Sequence, residues 1–108
     1  MEKNKSFVYI LRCADDTLYT GFTTDVARRL EEHQQGSLKC KYTRAESRRP
    51  VILESAWAVE GPRGQALRIE AFIKKLKRDE KLNLIQSPDQ LSKWYQMKKE
   101  TIIVCKPL

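Results

Sequence analysis

Residues 7–22 read FVYILRCADDTLYTGF, two β-prone runs at 7–12 and 18–22 on either side of the turn-forming ADDT of residues 14–17. β-branched and aromatic residues favour strands, so this stretch predicts a β-hairpin. Side chains alternate along a strand, which puts Tyr19 and Gly21 on the same face. A glycine weakens a strand unless another group must approach its backbone closely, so Gly21 is a weak indication of a site.

The segment after the hairpin has a helical pattern that ends in a long polar stretch. A helix is predicted over about residues 24–35, since capping residues precede it and a glycine follows it. Arg29 and His33 are four residues apart in this helix and therefore point the same way. Residues 37–49 are polar and basic, which predicts a loop.

The second half of the chain begins with an extended run and is then mainly helical. Residues 51–59 have the composition of a third strand. Apolar residues at helical spacing predict a helix over residues 65–78, and the Ser-Pro pair at 87–88 starts another through about residue 99. Residues 101–108 are β-prone but short, which fits either disorder or a late edge strand.

These elements predict an α/β fold of the α+β type, a small three-stranded antiparallel sheet flanked by helices. The 108 residues match the usual size of one domain, and 41% hydrophobic content is enough for one core. We therefore expect residues 1–85 to form the main domain, with a C-terminal helix and tail, residues 86–108, packed on it. The pattern contains no internal repeat.

The chain is basic, with 21 Lys and Arg against 14 Asp and Glu, a formal net charge of +7. Such a charge favours a polyanionic partner, above all nucleic acid. Net charge also keeps small proteins soluble, so composition alone leaves both explanations open.

Cysteine usage and hydropathy indicate the compartment. The three cysteines are an odd set without C-x-x-C spacing, which excludes a disulfide framework and a four-cysteine zinc site. No apolar run reaches the length of a membrane span or of a signal peptide core. The sequence predicts a cytoplasmic protein without a membrane partner.

Six polar or aromatic residues on separate segments could form a phosphodiesterase site: Tyr9, Tyr19, Arg29, His33, Tyr42 and Glu70. Phosphodiester hydrolysis needs a deprotonated nucleophile, a cation to offset charge on the phosphate, and usually a hard metal ion held by carboxylate oxygen. The set contains a candidate for each role.

The order of these residues resembles the GIY-YIG nuclease superfamily. Residues 7–9 (FVY) stand at the first tripeptide of that family and residues 19–21 (YTG) at the second, with the remaining four residues following in register. Further matching strings, such as KYTR at 41–44, are similar to the small stand-alone bacterial branch, whose members are mostly uncharacterised. Phe, Val and Thr replace the motif's first glycine and both isoleucines, which are structural positions in strands.

The resemblance implies a role for each residue. Glu70 would hold one Mg²⁺ or Mn²⁺ ion at the scissile phosphate, and Arg29 would stabilise the negative charge that develops there. One of Tyr9, Tyr19 or Tyr42 would be the general base towards water, with Tyr9 favoured. His33 would orient water or phosphate, or share proton transfer.

Each residue also has a structural explanation. A strand tyrosine is more often a core residue, a helical arginine a solvated charge, and a single histidine a helix-end cap. Glu70 could simply pair with Arg63 or Lys74 at helical spacing. The basic cluster around Tyr42 could be a solvated loop or a contact for the DNA backbone: Lys39, Lys41, Arg44, Arg48 and Arg49.

The sequence thus predicts a monomeric, metal-dependent DNA endonuclease, with branched, flapped or damaged DNA as candidate substrates in repair or recombination. One alternative is a non-cleaving nucleic-acid-binding domain of the same fold. Another is a small basic adaptor that binds an unknown protein partner through Trp94, Tyr95 and Met97.

Overall fold

The computed structural model describes residues 5–108, so the first four residues of the predicted main domain lie outside it. The strands are β1 (Ser6–Arg12), β2 (Leu18–Thr23), β3 (Ile52–Val59) and β4 (Cys105–Pro107). The helices are α1 (Val26–Gln35), α2 (Arg63–Lys74), α3 (Arg78–Gln86) and α4 (Leu91–Lys99). Two 3₁₀ turns, Glu46–Arg48 and Pro88–Gln90, complete the described elements.

The sheet is antiparallel and has the strand order β2-β1-β3-β4. The prediction of an antiparallel sheet flanked by helices is confirmed, but the number of strands is four and not three. The added strand, β4, is only three residues long and pairs with β3, Cys105 opposite Val59 and Pro107 opposite Trp57. Proline is tolerated at a sheet edge, and so short a strand forms only because β3 has a free edge to pair with.

The helix bounds differ from the sequence pattern in one place. The helix predicted over residues 65–78 is α2, which ends at Lys74, and Arg78 is already the first residue of α3. The Lys77 N–H donates to Glu80 Oε1 at 2.9 Å, which caps the start of α3. Leu76 keeps the helical spacing of Phe72 and Ile73 beyond Lys74, so periodicity predicted an end that is too late.

The two faces of the sheet pack against different helices. On one face, Val8 and Ile10 of β1 join Ile69 and Ile73 of α2 in the larger core. The C-terminal segment packs into the same core through four buried residues: Leu91, Tyr95, Ile103 and Cys105.

The opposite face of the sheet carries the smaller core, in which Tyr9 and Leu11 of β1 pack with Val26 and Leu30 of α1. Tyr19 and Tyr42 are partly buried against this cluster. Because side chains alternate along β1, Tyr9 faces the smaller core with α1, whereas Val8 and Ile10 face α2.

No helix within residues 5–108 is long and apolar enough to cross a membrane. The three cysteines, all within that part of the chain, are buried and unpaired.

Candidate active site

A buried chain of hydrogen bonds runs from strand β1 through helix α1 to the loop that follows it. Tyr9 Oη lies 2.8 Å from His33 Nε2, and His33 Nδ1 lies 2.7 Å from Thr43 Oγ1. The exposed fraction is 2% for Tyr9 and zero for His33 and Thr43. The three side chains thus form one internal network, as buried polar groups require.

The neighbours of Thr43 determine the proton positions on His33. The Thr43 hydroxyl donates to Cys40 O at 3.5 Å, so its oxygen is free to accept from His33 Nδ1–H. The other ring nitrogen, Nε2, then carries a lone pair and accepts the hydroxyl proton of Tyr9. The resting network therefore places a neutral proton acceptor next to the Tyr9 phenol.

The protonation state of His33 follows from its surroundings. Burial lowers the pKa of His33 to about 4, and the positive charge of Arg29 adds to this effect. Burial likewise raises the pKa of the Tyr9 phenol above its ordinary value, although the neighbouring Arg29 guanidinium opposes the rise. Both residues are uncharged near neutral pH.

This pKa predicts an acid-sensitive fold. The pKa of His33 is lower in the folded than in the unfolded protein, so the neutral side chain costs no stability above about pH 6.5. As pH falls from about 6.5 towards 4, the unfolded protein takes up a proton that the folded protein does not, and the free energy of unfolding decreases. We expect the free energy of unfolding to drop by about 2 kcal/mol between pH 7 and pH 5.

Urea unfolding of the wild type and of His33→Gln at both pH values measures this drop. The chain has a single histidine, so the substitution should remove most of the pH dependence in that window. An unchanged pH dependence in His33→Gln would show that another group is responsible.

Gly21 allows Tyr9 to reach this position. The two residues face each other across β1 and β2, and a Cβ atom on Gly21 would lie only 2.4 Å from Tyr9 Oη. The expectation that a group approaches the backbone of Gly21 closely is confirmed, and the group is the phenol of Tyr9.

Arg29 borders the same network. Its Nη1 donates to Glu32 Oε1 at 3.0 Å and its Nη2 to the Lys39 carbonyl at 3.2 Å. Its Nε is buried and has no hydrogen-bond partner among residues 5–108. These contacts fix the guanidinium beside Tyr9, with its positive charge next to the network.

Tyr19 and Tyr42 stack on each other and cover the network on its solvent side. Their rings stack with centroids 4.9 Å apart, and the Tyr19 ring lies 6.3 Å from that of Tyr9 and 5.3 Å from that of His33. Both tyrosines are only partly buried, so they lie between the closed network and solvent. Five of the six predicted residues therefore gather on one face of the sheet.

Sequence reasoning did not identify two supporting contacts. Thr43 was given no role, although its place directly after Tyr42 was the available signal. Arg48 was assigned only to DNA, yet its guanidinium lies 3.9 Å from the centre of the Tyr42 ring and its Nε 3.3 Å from Asp15 Oδ2. Arg48 therefore holds Tyr42 against Tyr19.

The predicted basic cluster is divided between outward and inward side chains. Lys39, Lys41 and Arg44 are exposed, and Arg48 and Arg49 are partly buried. Arg49 Nη2 donates to the Arg44 carbonyl at 3.2 Å. Two of the five basic residues are thus used in shaping the loop. The other three are exposed, although Lys39 Nζ also lies 4.0 Å from Glu32 Oε2.

Glu70 lies on α2, which packs against the opposite face of the sheet. Its Oε2 lies 3.2 Å from Lys74 Nζ, one of the two ion pairs expected from helical spacing, and its side chain is 17% exposed. Among the described residues, no contact joins Glu70 to the tyrosines, and no cluster of three metal-ligating side chains forms. The structure therefore does not bring Glu70 into the network.

The β2 edge nevertheless lies next to α2. Arg63 at the start of α2 lies 5.0 Å from the Phe22 ring, and Arg78 at the start of α3 pairs with Asp16 at 3.1 Å. Glu70 lies between these two residues in sequence, on the same helix as Arg63. A lone carboxylate fits an ion such as Mg²⁺, which keeps several waters and takes further ligands from substrate phosphate.

The comparisons with known proteins identify the family of this chain. The GIY-YIG catalytic domain matches residues 5–83. A UPF0213 protein of Syntrophus aciditrophicus (strain SB) is 48% identical over 89 residues, which is 82% of this chain and 99% of that protein. A UPF0213 protein of Streptococcus sanguinis (strain SK36) is 45% identical over 82% of this chain and 97% of its own length.

A solution NMR structure of a UPF0213 protein from Bacillus halodurans is 41% identical and covers 76% of this chain and 83% of that chain, with a TM-score of 0.48. By the domain match and the identity to these relatives, the chain belongs to the GIY-YIG family, a nuclease superfamily, among its small UPF0213 proteins. The resemblance noted in the sequence is confirmed.

Proposed function

We propose that the chain is a metal-dependent endonuclease that hydrolyses DNA phosphodiester bonds. The observation that carries this proposal is the buried Tyr9–His33–Thr43 network beside Arg29. It combines a proton acceptor with a fixed cation, the two groups that phosphodiester hydrolysis takes from side chains.

Tyr9 is the general base in this proposal and His33 receives its proton. As water attacks the phosphorus, Tyr9 Oη accepts a proton from it while the phenol's own proton moves to His33 Nε2. Thr43 holds the Nδ1 proton in place throughout. Burial disfavours both a free phenolate and a protonated His33, so the proton stays on His33 only while the phosphorus is attacked.

Arg29 stabilises the additional negative charge on the phosphate. Its guanidinium is permanently charged and carries a donor without a partner in the described chain. The partly exposed Tyr19 and Tyr42 line the approach to the network and orient water and phosphate there.

Glu70 would hold the Mg²⁺ or Mn²⁺ ion. A hard divalent ion would supply a positive charge that polarises the phosphate. The substrate phosphate would then interact with that ion and with the Arg29 guanidinium, and not with the Glu70 carboxylate itself.

The exposed basic residues of the loop, Lys39, Lys41 and Arg44, contact the DNA backbone. A domain of this size has no separate module that reads base sequence, so we propose branched, flapped or damaged DNA as substrate, in repair or recombination. The protein would act as a monomer in the cytoplasm, where its free thiols persist.

One observation favours the alternative of a non-cleaving nucleic-acid-binding domain. Glu70 is neutralised by Lys74 and makes no described contact with the tyrosines. If metal does not displace this ion pair, the fold would bind DNA without cutting it.

Incubation with supercoiled, single-stranded and branched DNA in Mg²⁺ or Mn²⁺ distinguishes the two functions. We expect metal-dependent cleavage that Glu70→Ala lowers roughly 100-fold or more, because metal charge stabilisation is worth several kcal/mol. Glu60→Ala is the matched control, since Glu60 also pairs with a lysine, Lys106, at 3.0 Å. Binding without cleavage in either metal would support the alternative, and full activity in Glu70→Ala would reject the proposed metal site.

A further inference from the structure

Helices α2, α3 and α4 enclose a groove that no part of the proposed cleavage site uses. It consists of a cavity of about 450 Å³ and an adjoining apolar pocket of about 220 Å³. Helix α4 lies beyond the GIY-YIG match, which ends at residue 83. This α4 groove is therefore built partly from a segment that the family domain does not include.

The rim of the α4 groove is positively charged. Four cationic side chains line it: Arg68, Lys75, Lys98 and Lys99. The acidic residue of the lining is Glu80, and its carboxylate already accepts the Lys77 N–H at 2.9 Å. The charge of the rim calls for an anionic occupant.

The floor of the α4 groove is aromatic and apolar. Phe72, Leu76, Trp94 and Met97 line the smaller pocket, and Met97 is 73% exposed. The Phe72 ring is held edge-on against Tyr95 at 5.2 Å. An acidic peptide would pair with the cationic rim but gain little from contact with the apolar floor. An unstacked nucleotide carries a phosphate for the rim and an aromatic base for the floor.

We propose that the α4 groove binds single-stranded nucleic acid, with a base against the partly exposed Trp94 and phosphates at the basic rim. Aromatic platforms beside a cationic groove are the usual means of binding single strands without sequence preference. A duplex keeps its bases stacked and paired, and so cannot place them in the apolar pocket.

The position of the α4 groove points to one substrate class for the proposed nuclease, DNA with a single-stranded arm. This part of the inference rests on the proposed function. Groove residue Arg68 lies on α2 and Lys75 directly follows that helix, and Glu70 lies on another side of α2. A helix is about 10–12 Å across with its side chains. A substrate with a single-stranded arm beside a duplex could occupy both sites.

Tryptophan fluorescence tests this proposal, because the chain has two tryptophans in different surroundings. Trp57 is fully buried, while Trp94 is partly exposed and lines the pocket. We expect an oligothymidylate of about 15 nucleotides, added with a metal chelator, to quench Trp94. A duplex of equal length should quench it far less.

Lys98→Glu and Lys93→Glu form a matched pair on α4, since both lysines are exposed and only Lys98 lines the groove. We expect Lys98→Glu to weaken oligothymidylate binding about tenfold and Lys93→Glu less than about twofold. Equal weakening in both variants, or no quenching, would overturn the proposal. Equal quenching by poly-glutamate would overturn it in favour of an acidic protein partner.

Glu70→Ala separates this inference from the proposed nuclease. Because binding is measured without metal, the variant should bind oligothymidylate as well as the wild type. Quenching without any cleavage would contradict only the nuclease, and cleavage without quenching would contradict only the groove.

Discussion

Arg29→Ala is expected to slow DNA cleavage roughly 100- to 1,000-fold, the usual loss when one preorganised donor to a developing oxyanion is removed. Arg29 is held by Glu32 and by the Lys39 carbonyl, and its free Nε is buried beside the network. Alanine removes both the charge and the donor. Arg29→Lys should recover only part of the rate, because an ammonium lacks the planar, multidentate geometry.

Arg28→Ala is the matched control for this prediction. Arg28 is the neighbouring residue on α1, its side chain is 57% exposed, and it lies 4.0 Å from the same Glu32 carboxylate. Its loss should change the cleavage rate less than about threefold, since an exposed ion pair is worth at most about 1 kcal/mol. Thermal unfolding of both variants reports whether the fold is intact. Equal losses of cleavage rate in Arg28→Ala and Arg29→Ala would mean that Arg29 contributes only a general positive charge on α1.

Gly21→Ala is expected to destabilise the fold by about 3 kcal/mol, at the upper end of the range for overpacking. The new Cβ would overlap Tyr9 Oη and Cζ, at 2.4 and 2.5 Å. Tyr9 cannot retreat easily, because it is 2% exposed and bonded to His33. Displacing the phenol also breaks the proton path, so cleavage should fall even where the protein still folds.

Gly64→Ala provides the contrast, since an added Cβ there meets nothing within 4 Å. Gly64 lies in α2, where alanine should stabilise the helix by about 0.5–1 kcal/mol. Urea unfolding measures both variants. In a double-mutant cycle, Tyr9→Leu should cost less in the Gly21→Ala background than in the wild type. Additive effects would show that the clash with Tyr9 is not the cause.

Local patterns predicted much of the fold. The hairpin followed from β-prone runs around a polar turn, and α1 is found at Val26–Gln35 where a helix was expected over about 24–35. These features depend on neighbours a few residues away, through side-chain alternation, capping and turn preference. The end of α2 was predicted four residues too late because Leu76 keeps the helical spacing of Phe72 and Ile73 beyond Lys74.

Long-range contacts decided the rest. Strand β4 exists only because β3 offers a free edge. The pairing of Arg48 with Asp15 joins two loops that are 33 residues apart in sequence. Propensities within a short window contain no information on such partners.

The sequence alone identified the six candidate site residues. They are two tyrosines on a hairpin, an arginine and a histidine one helical turn apart, a loop tyrosine and a helical glutamate. Only the tertiary structure showed that Tyr9, His33 and Thr43 form one buried network, while Glu70 lies on a helix that packs against the opposite face of the sheet. The physical reason is that spacing determines which face of its own element a residue occupies, whereas the packing of distant elements decides which faces meet.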